Sequence, residues 1–139
     1  AWASALTLHP ELHVNWLDAQ SHIFDDVVIA FSVMADHGAV TPAVDVSATT
    51  SVQELSTILE NAQQSKISLE HLKSSTTGLA DLSEYNLSSM SSLLVAPQST
   101  ALTLCSIRPT VRFTITADRR IADPADVAVL ARSFIRNLK

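Results

Sequence analysis

The chain has little of what dedicated binding motifs are built from. It holds two glycines, Gly38 and Gly78, in 139 residues, so no glycine-rich loop is available to cradle a phosphate. Its single cysteine, Cys105, cannot close an internal disulfide; that fits a reducing compartment without identifying one. Charged residues are 17% of the chain and the formal net charge is −5. No Lys/Arg run interleaves with aromatics, so nucleic acid is not an expected partner. The longest apolar stretch, residues 27–34, is far short of a membrane span and is bordered by Asp25, Asp26 and Asp36, so no membrane partner is expected either. No basic leader opens the sequence. Residues 1–6 read as the tail of an apolar helix already under way, and the chain is expected to be a fragment.

What is present is apolar material, 47% of residues with a mean hydropathy of +0.22. That is enough for the core of a single domain over residues 1–139, with a surplus that argues gently for an oligomer. After the first helical segment Pro10 breaks the pattern, and residues 11–16 read as extended. Residues 27–34 are short and β-branched, the pattern of a central strand covered on both faces. A turn at Asp36-His37-Gly38 leads to a second strand over 39–46, where Pro42 demands an edge position or a bulge.

Ser51 and Glu54 form a capping box, followed by a stripe of Val52, Leu55, Ile58, Leu59 and Ala62 at helical spacing. Ser68 is expected to cap one further helical turn. Residues 74–92, rich in Ser, Thr, Asn and Asp, read as a long ordered loop. Strands follow at 93–96, 100–107 and 111–117, the last with Val111, Phe113, Ile115 and Ala117 on its buried face. Only Arg108-Pro109-Thr110 joins the final pair. Asp123 as cap, Pro124 at the first helical position, and Arg132, Arg136 and Lys139 toward the end define a last helix. Its stripe is Val127, Leu130, Ala131, Phe134, Ile135 and Leu138. The order predicts an α+β domain, helices packed on a mixed, mainly antiparallel sheet.

The stretch Asp118-Arg119-Arg120-Ile121-Ala122-Asp123-Pro124 resembles, with two changes, the Asp-His-Arg-x-x-Asp-Gly signature of the dihydrolipoamide acyltransferase catalytic domain. Pro10 to Trp16, residues 27–44 with Thr41-Pro42-Ala43-Val44, the helix and turn over 53–72, and Pro97-Gln98 resemble further parts of that family in the same order. The resemblance implies a chloramphenicol acetyltransferase-like fold, here truncated at the N-terminus.

It also implies two losses. The family's histidine serves as general base on a thiol, and Arg119 stands at its place. A guanidinium stays protonated at any relevant pH and cannot be that base. Counting back from Pro97 puts the family's oxyanion-binding serine on Ala80, whose methyl donates nothing. Losing such a donor costs roughly 10²- to 10³-fold in rate. The losses resemble a non-catalytic branch of the family, the protein X type that binds dihydrolipoamide dehydrogenase in the pyruvate dehydrogenase complex, especially in its shortened fungal form. The expectation is therefore a homotrimeric, cofactor-free assembly domain without catalytic residues, docked on the dihydrolipoamide acetyltransferase core. Dihydrolipoamide dehydrogenase would be held through upstream modules, and the compartment would be the mitochondrial matrix. The rival is an active CoA-dependent acyltransferase with relocated groups; a third reading is a free-standing CoA binder.

Other residues have simpler readings. Asp118, Arg119 and Asp123 are expected to keep the old active-site turn folded, with an Arg119–Asp123 ion pair adding about 0–1 kcal/mol. His9 and His13 suggest a metal pair only weakly, since Pro10 breaks the helix such spacing needs, and read as surface histidines. His22 and His37 lack a visible nucleophile partner, and Cys105 reads as a small half-buried hydrophobe.

Overall fold

The computed structural model describes residues 1–46 and 51–139. Helix α1, Trp2–Leu8, ends before Pro10, which starts a 3-10 turn over Pro10–Leu12. The segment expected to be extended from residue 11 is therefore a turn at first and becomes strand β1 only over Val14–Leu17. Strand β2, Gln20–Ile23, pairs back on it antiparallel, with Leu17 opposite Gln20. The two residues between them, Asp18 and Ala19, both have positive φ, at 50° and 61°. That is the turn whose twist suits a two-residue hairpin and which normally calls for Asn-Gly. With no glycine there, the sequence carries no hairpin signal.

Strand β3, Val28–Ala35, is central, as expected. Its covering is one-sided toward its end: Phe31 and Val33 are buried, whereas Ser32 and Met34 are exposed. The following strand is split into β4, Gly38–Val40, and β5, Ala43–Asp45. Val33 faces Val40 and Ala30 faces Ala43, so both pieces keep one register with no inserted residue. Pro42 thus sits on an edge without a bulge, its carbonyl accepting from the Phe31 N–H at 3.0 Å.

Helix α2, Val52–Gln63, has the complete Ser51–Glu54 capping box. Leu55, Ile58, Leu59 and Ala62 pack inward, but Val52 is exposed. Ser68 precedes a 3-10 turn, Leu69–His71, without lending it a side-chain hydrogen bond.

The stretch read as a long loop contains strand β6, Thr77–Leu82, in the middle of the sheet. It runs parallel to β3 on one side and to β7, Thr100–Ile107, on the other. Strand β8, Thr110–Ala117, closes the sheet antiparallel to β7, so the order is β4/β5, β3, β6, β7, β8. The two central pairings are parallel and the outer ones antiparallel, a mixed α+β sheet. Residues 93–96, expected as strand, are irregular, with Leu93 and Val95 exposed. Val111 is exposed as well, while Phe113, Ile115 and Ala117 are half-buried.

One face of the sheet carries Ile29, Phe31, Leu102 and Phe113, and all three helices lie on it. Helix α3, Pro124–Asn137, drives Leu130 and Phe134 into this core. The Phe134 ring stands edge-on to Phe113 at 5.0 Å and to Trp2 at 6.1 Å. Ile135 and Leu138 of its expected stripe stay exposed. Burial of the polar residues in the central strands is balanced by hydrogen bonds: Trp2 Nε1 donates to Thr77 Oγ1 at 3.1 Å, and Thr77 Oγ1 donates to the Thr100 carbonyl at 2.8 Å.

Candidate functional site

The opposite face of the sheet is built of small residues. Ladder pairing aligns Ala30, Gly78 and Ala101 in one row and Ser32, Ala80 and Thr103 in the next. The long β6–β7 connection crosses this face. Ser92 lies on Thr103, with its N–H 3.2 Å and its hydroxyl 2.5 Å from Thr103 Oγ1. Gln98 donates to Ser75 Oγ at 2.7 Å. A Cβ added at Gly78 would stand 3.2 Å from the Gln98 side-chain oxygen, so only glycine leaves this approach unstrained.

Between connection and sheet lies a cleft of about 180 Å³ with Ala80 on its lining. Ser32, Thr41, Ser75 and Ser92 bring hydroxyls to it, and Lys73 is its only charged side chain. No histidine lines it. Ser83, the first hydroxyl after Ala80 along the chain, starts a 3-10 turn beyond the strand and is not on the lining of the cleft.

Ser32 was not singled out by the sequence. It sits directly across the β3–β6 ladder from Ala80 and is exposed, and its hydroxyl makes no hydrogen bond among the described residues. Only the register of two parallel strands, far apart in sequence, reveals that neighbour. Thr103, on the other side of Ala80, is fully buried and occupied by Ser92.

Arg119 follows β8 in the turn leading to α3. It is exposed, does not line the Ala80 cleft, and makes no ion pair or hydrogen bond among the described residues. The Arg119–Asp123 ion pair is not formed, because the Asp123 carboxylate caps α3, accepting from the Ala125 and Asp126 N–H groups at 2.7 and 3.0 Å. The ion pair of this turn is Arg120 with Asp118. Arg120 Nε and Nη2 approach the two Asp118 oxygens at 3.0 and 2.5 Å, and its guanidinium lies 5.6 Å over the Trp16 ring. The Arg120 hydrogen bond holds the Asp118 carboxyl below its ordinary value, and Asp118 raises Arg120 in return.

The histidines are dispersed. His9 binds Ser133 Oγ at 2.7 Å, joining the first turns to α3. His13, expected at the surface, is buried against Phe24, its Nε2 3.2 Å from the Asp26 carbonyl oxygen and its Nδ1 without a partner among the described residues. Burial pushes its pKa down, with the Asp26 carbonyl opposing. His22 is exposed on β2 and His37 lies in the β3–β4 turn. Cys105 is fully buried rather than half-buried. No group of three or more His, Cys, Asp or Glu among the described residues could hold a metal ion, and no described helix is long and apolar enough to cross a membrane.

This architecture is shared with known proteins. A probable dihydrolipoamide acetyltransferase from Listeria monocytogenes superposes with a TM-score of 0.85 at 17% identity, over 99% of this chain and 66% of that one. The cubic core of the pyruvate dehydrogenase multienzyme complex gives 0.85 at 16% identity, over 99% and 66%. A chloramphenicol acetyltransferase gives 0.66 at 13% identity, over 99% and 74%. The chain thus spans about two thirds of the length of the first two. No curated protein matches it by sequence. The family model of the 2-oxoacid dehydrogenases acyltransferase (catalytic domain) matches residues 1–139, its whole length, and the chain belongs to that family.

Proposed function

We propose that this chain is a non-catalytic assembly domain of the pyruvate dehydrogenase complex, of the protein X type. In this reading it trimerises and docks on the dihydrolipoamide acetyltransferase core in the mitochondrial matrix. Modules upstream of it would hold dihydrolipoamide dehydrogenase. The observation that carries the reading is chemical: a permanent cation, Arg119, stands where the family's resemblance calls for a proton acceptor, and a methyl, Ala80, where it calls for a hydroxyl. Arg119 also lies away from the cleft of its own chain, so a site using both positions would need a second copy. The relation to the cubic core agrees with an assembled state.

The test is acetyl transfer from acetyl-CoA to dihydrolipoamide, together with co-purification of the tagged chain. Background turnover and recovery in a complex with the acetyltransferase core are expected. Robust turnover abolished by His37→Ala or His22→Ala, or recovery as a lone monomer, overturns the reading.

The rival, an active acyltransferase with relocated groups, has one observation in its favour, the free Ser32 hydroxyl beside Ala80. Turnover lost in Ser32→Ala would select it.

A further inference from the structure

Open sheets with parallel strands bind ligands in crevices outside the carboxyl ends of those strands. Here β3 and β6 end at Ala35 and Leu82, and a second cleft of about 390 Å³ opens between them, α2 and the 3-10 turn Ser83–Tyr85. That volume is in the range of sites for small organic molecules. Its floor is apolar: Phe31 and Val33 are buried there, and Leu59 and Leu79 are half-buried. The rim is different in kind. Met34 and Tyr85 are 60% and 53% exposed, and the two charged groups on the lining are the carboxylates of Asp81 and Glu84.

No cationic side chain lines this cleft, and neither carboxylate has an ion-pair partner among the described residues. Asp81 accepts the Ser83 N–H at 3.0 Å through one oxygen, which leaves the other available. Two negative charges without a cationic partner beside an apolar floor repel anions and hold a cation more strongly than a neutral guest, which gains only a hydrogen bond from them. A cation with an apolar body satisfies both parts, and Tyr85 adds an aromatic residue to the lining.

We propose that this cleft is a binding site for a small organic amine, its apolar body on Phe31, Leu59 and Leu79 and its ammonium between Asp81 and Glu84. The inference does not depend on whether the chain is catalytic, since the two clefts share only two of their described lining residues, Ser32 and Leu79, and neither Asp81 nor Glu84.

The test uses the full chain with methyl-labelled methionine, which reports on Met34, lining the cleft, and Met90, outside it. The probes are 2-phenylethylamine, 2-phenylethanol and 3-phenylpropionate, which share an apolar body and differ in charge. Saturable shifts of the Met34 signal by the amine are expected at concentrations at least tenfold below those needed with the alcohol. The carboxylate should give no shift, and Met90 should stay unmoved. Raising the salt concentration should weaken the amine alone. Glu84→Gln, an exposed change that removes no hydrogen bond, and Asp81→Asn should each bring the amine toward the alcohol. Equal binding of amine and alcohol, binding unaffected by both substitutions, or no Met34 shift with any probe overturns the proposal.

Discussion

Arg120 folds back onto Asp118, two residues earlier, and so leaves its neighbour Arg119 alone in solvent. The pair holds the turn from which α3 departs: Asp118 donates its N–H to the Ser99 carbonyl and receives the Ile121 N–H on its own. Its Asp118 carboxyl is depressed below 3.8 mainly by the Arg120 hydrogen bond. A depressed carboxyl stabilises the fold above its unfolded value and loses that contribution as pH falls through the folded value. Asp118→Asn should therefore lower the thermal midpoint slightly at neutral pH, with the deficit narrowing below pH 3.8. The effect is small because Arg120 is exposed and salt screens it. Arg119→Ala should leave the midpoint unchanged, and a loss equal to that of Arg120→Ala would contradict this division of roles.

The hairpin turn stores strain at Ala19. An alanine with φ at 61° brings its Cβ against the next carbonyl, at a cost of about 1 kcal/mol. Ala19→Gly relieves that contact in a turn type that favours glycine. Chemical denaturation should show a gain of up to about 1 kcal/mol; a loss of stability would mean the turn is not of this type.

Thr77 is the polar pin of the core. Thr77→Val keeps the shape but leaves the Trp2 indole N–H buried without its acceptor. The expected loss is about 1–3 kcal/mol in urea unfolding. A neutral result would show that the indole finds another partner.

His13 should make the fold sensitive to mild acid. Its folded pKa lies below 6.5 because burial disfavours the imidazolium. The unfolded chain then binds the proton more readily, so the contribution is complete above pH 6.5 and falls as pH drops from there through the folded value. The unfolding free energy should decline between pH 7.5 and 5.5, and His13→Gln should flatten that decline. An unchanged slope in the variant would place the acid sensitivity elsewhere.

Much of the architecture is legible along the chain. The Ser51 and Asp123 caps, the helical stripes behind them, and the β-branched run of β3 are local signals, because each needs only residues within a turn or a strand of one another. The resemblance carried by residues 118–124 is local as well. The failures share a cause. Strand β6 looks like a loop because Gly78 and Asp81 favour turns in isolation and the chain on either side of it is rich in serine. In the folded chain Thr77 meets Trp2 and Thr100, partners 75 and 23 residues away. The β1–β2 hairpin is silent because its turn uses Asp-Ala in place of a glycine pair.

By itself the sequence determined where α2 and α3 start, most of the apolar residues those helices turn inward, and that a fixed cation and a methyl occupy positions 119 and 80. Only the tertiary structure decided that Ala80 lies between Ser32 and Thr103, that Arg120 and not Arg119 is paired, and that His13 is buried. Caps and periodicity are written in neighbouring residues, whereas strand register, ion-pair choice and burial arise from contacts between segments that no local pattern encodes.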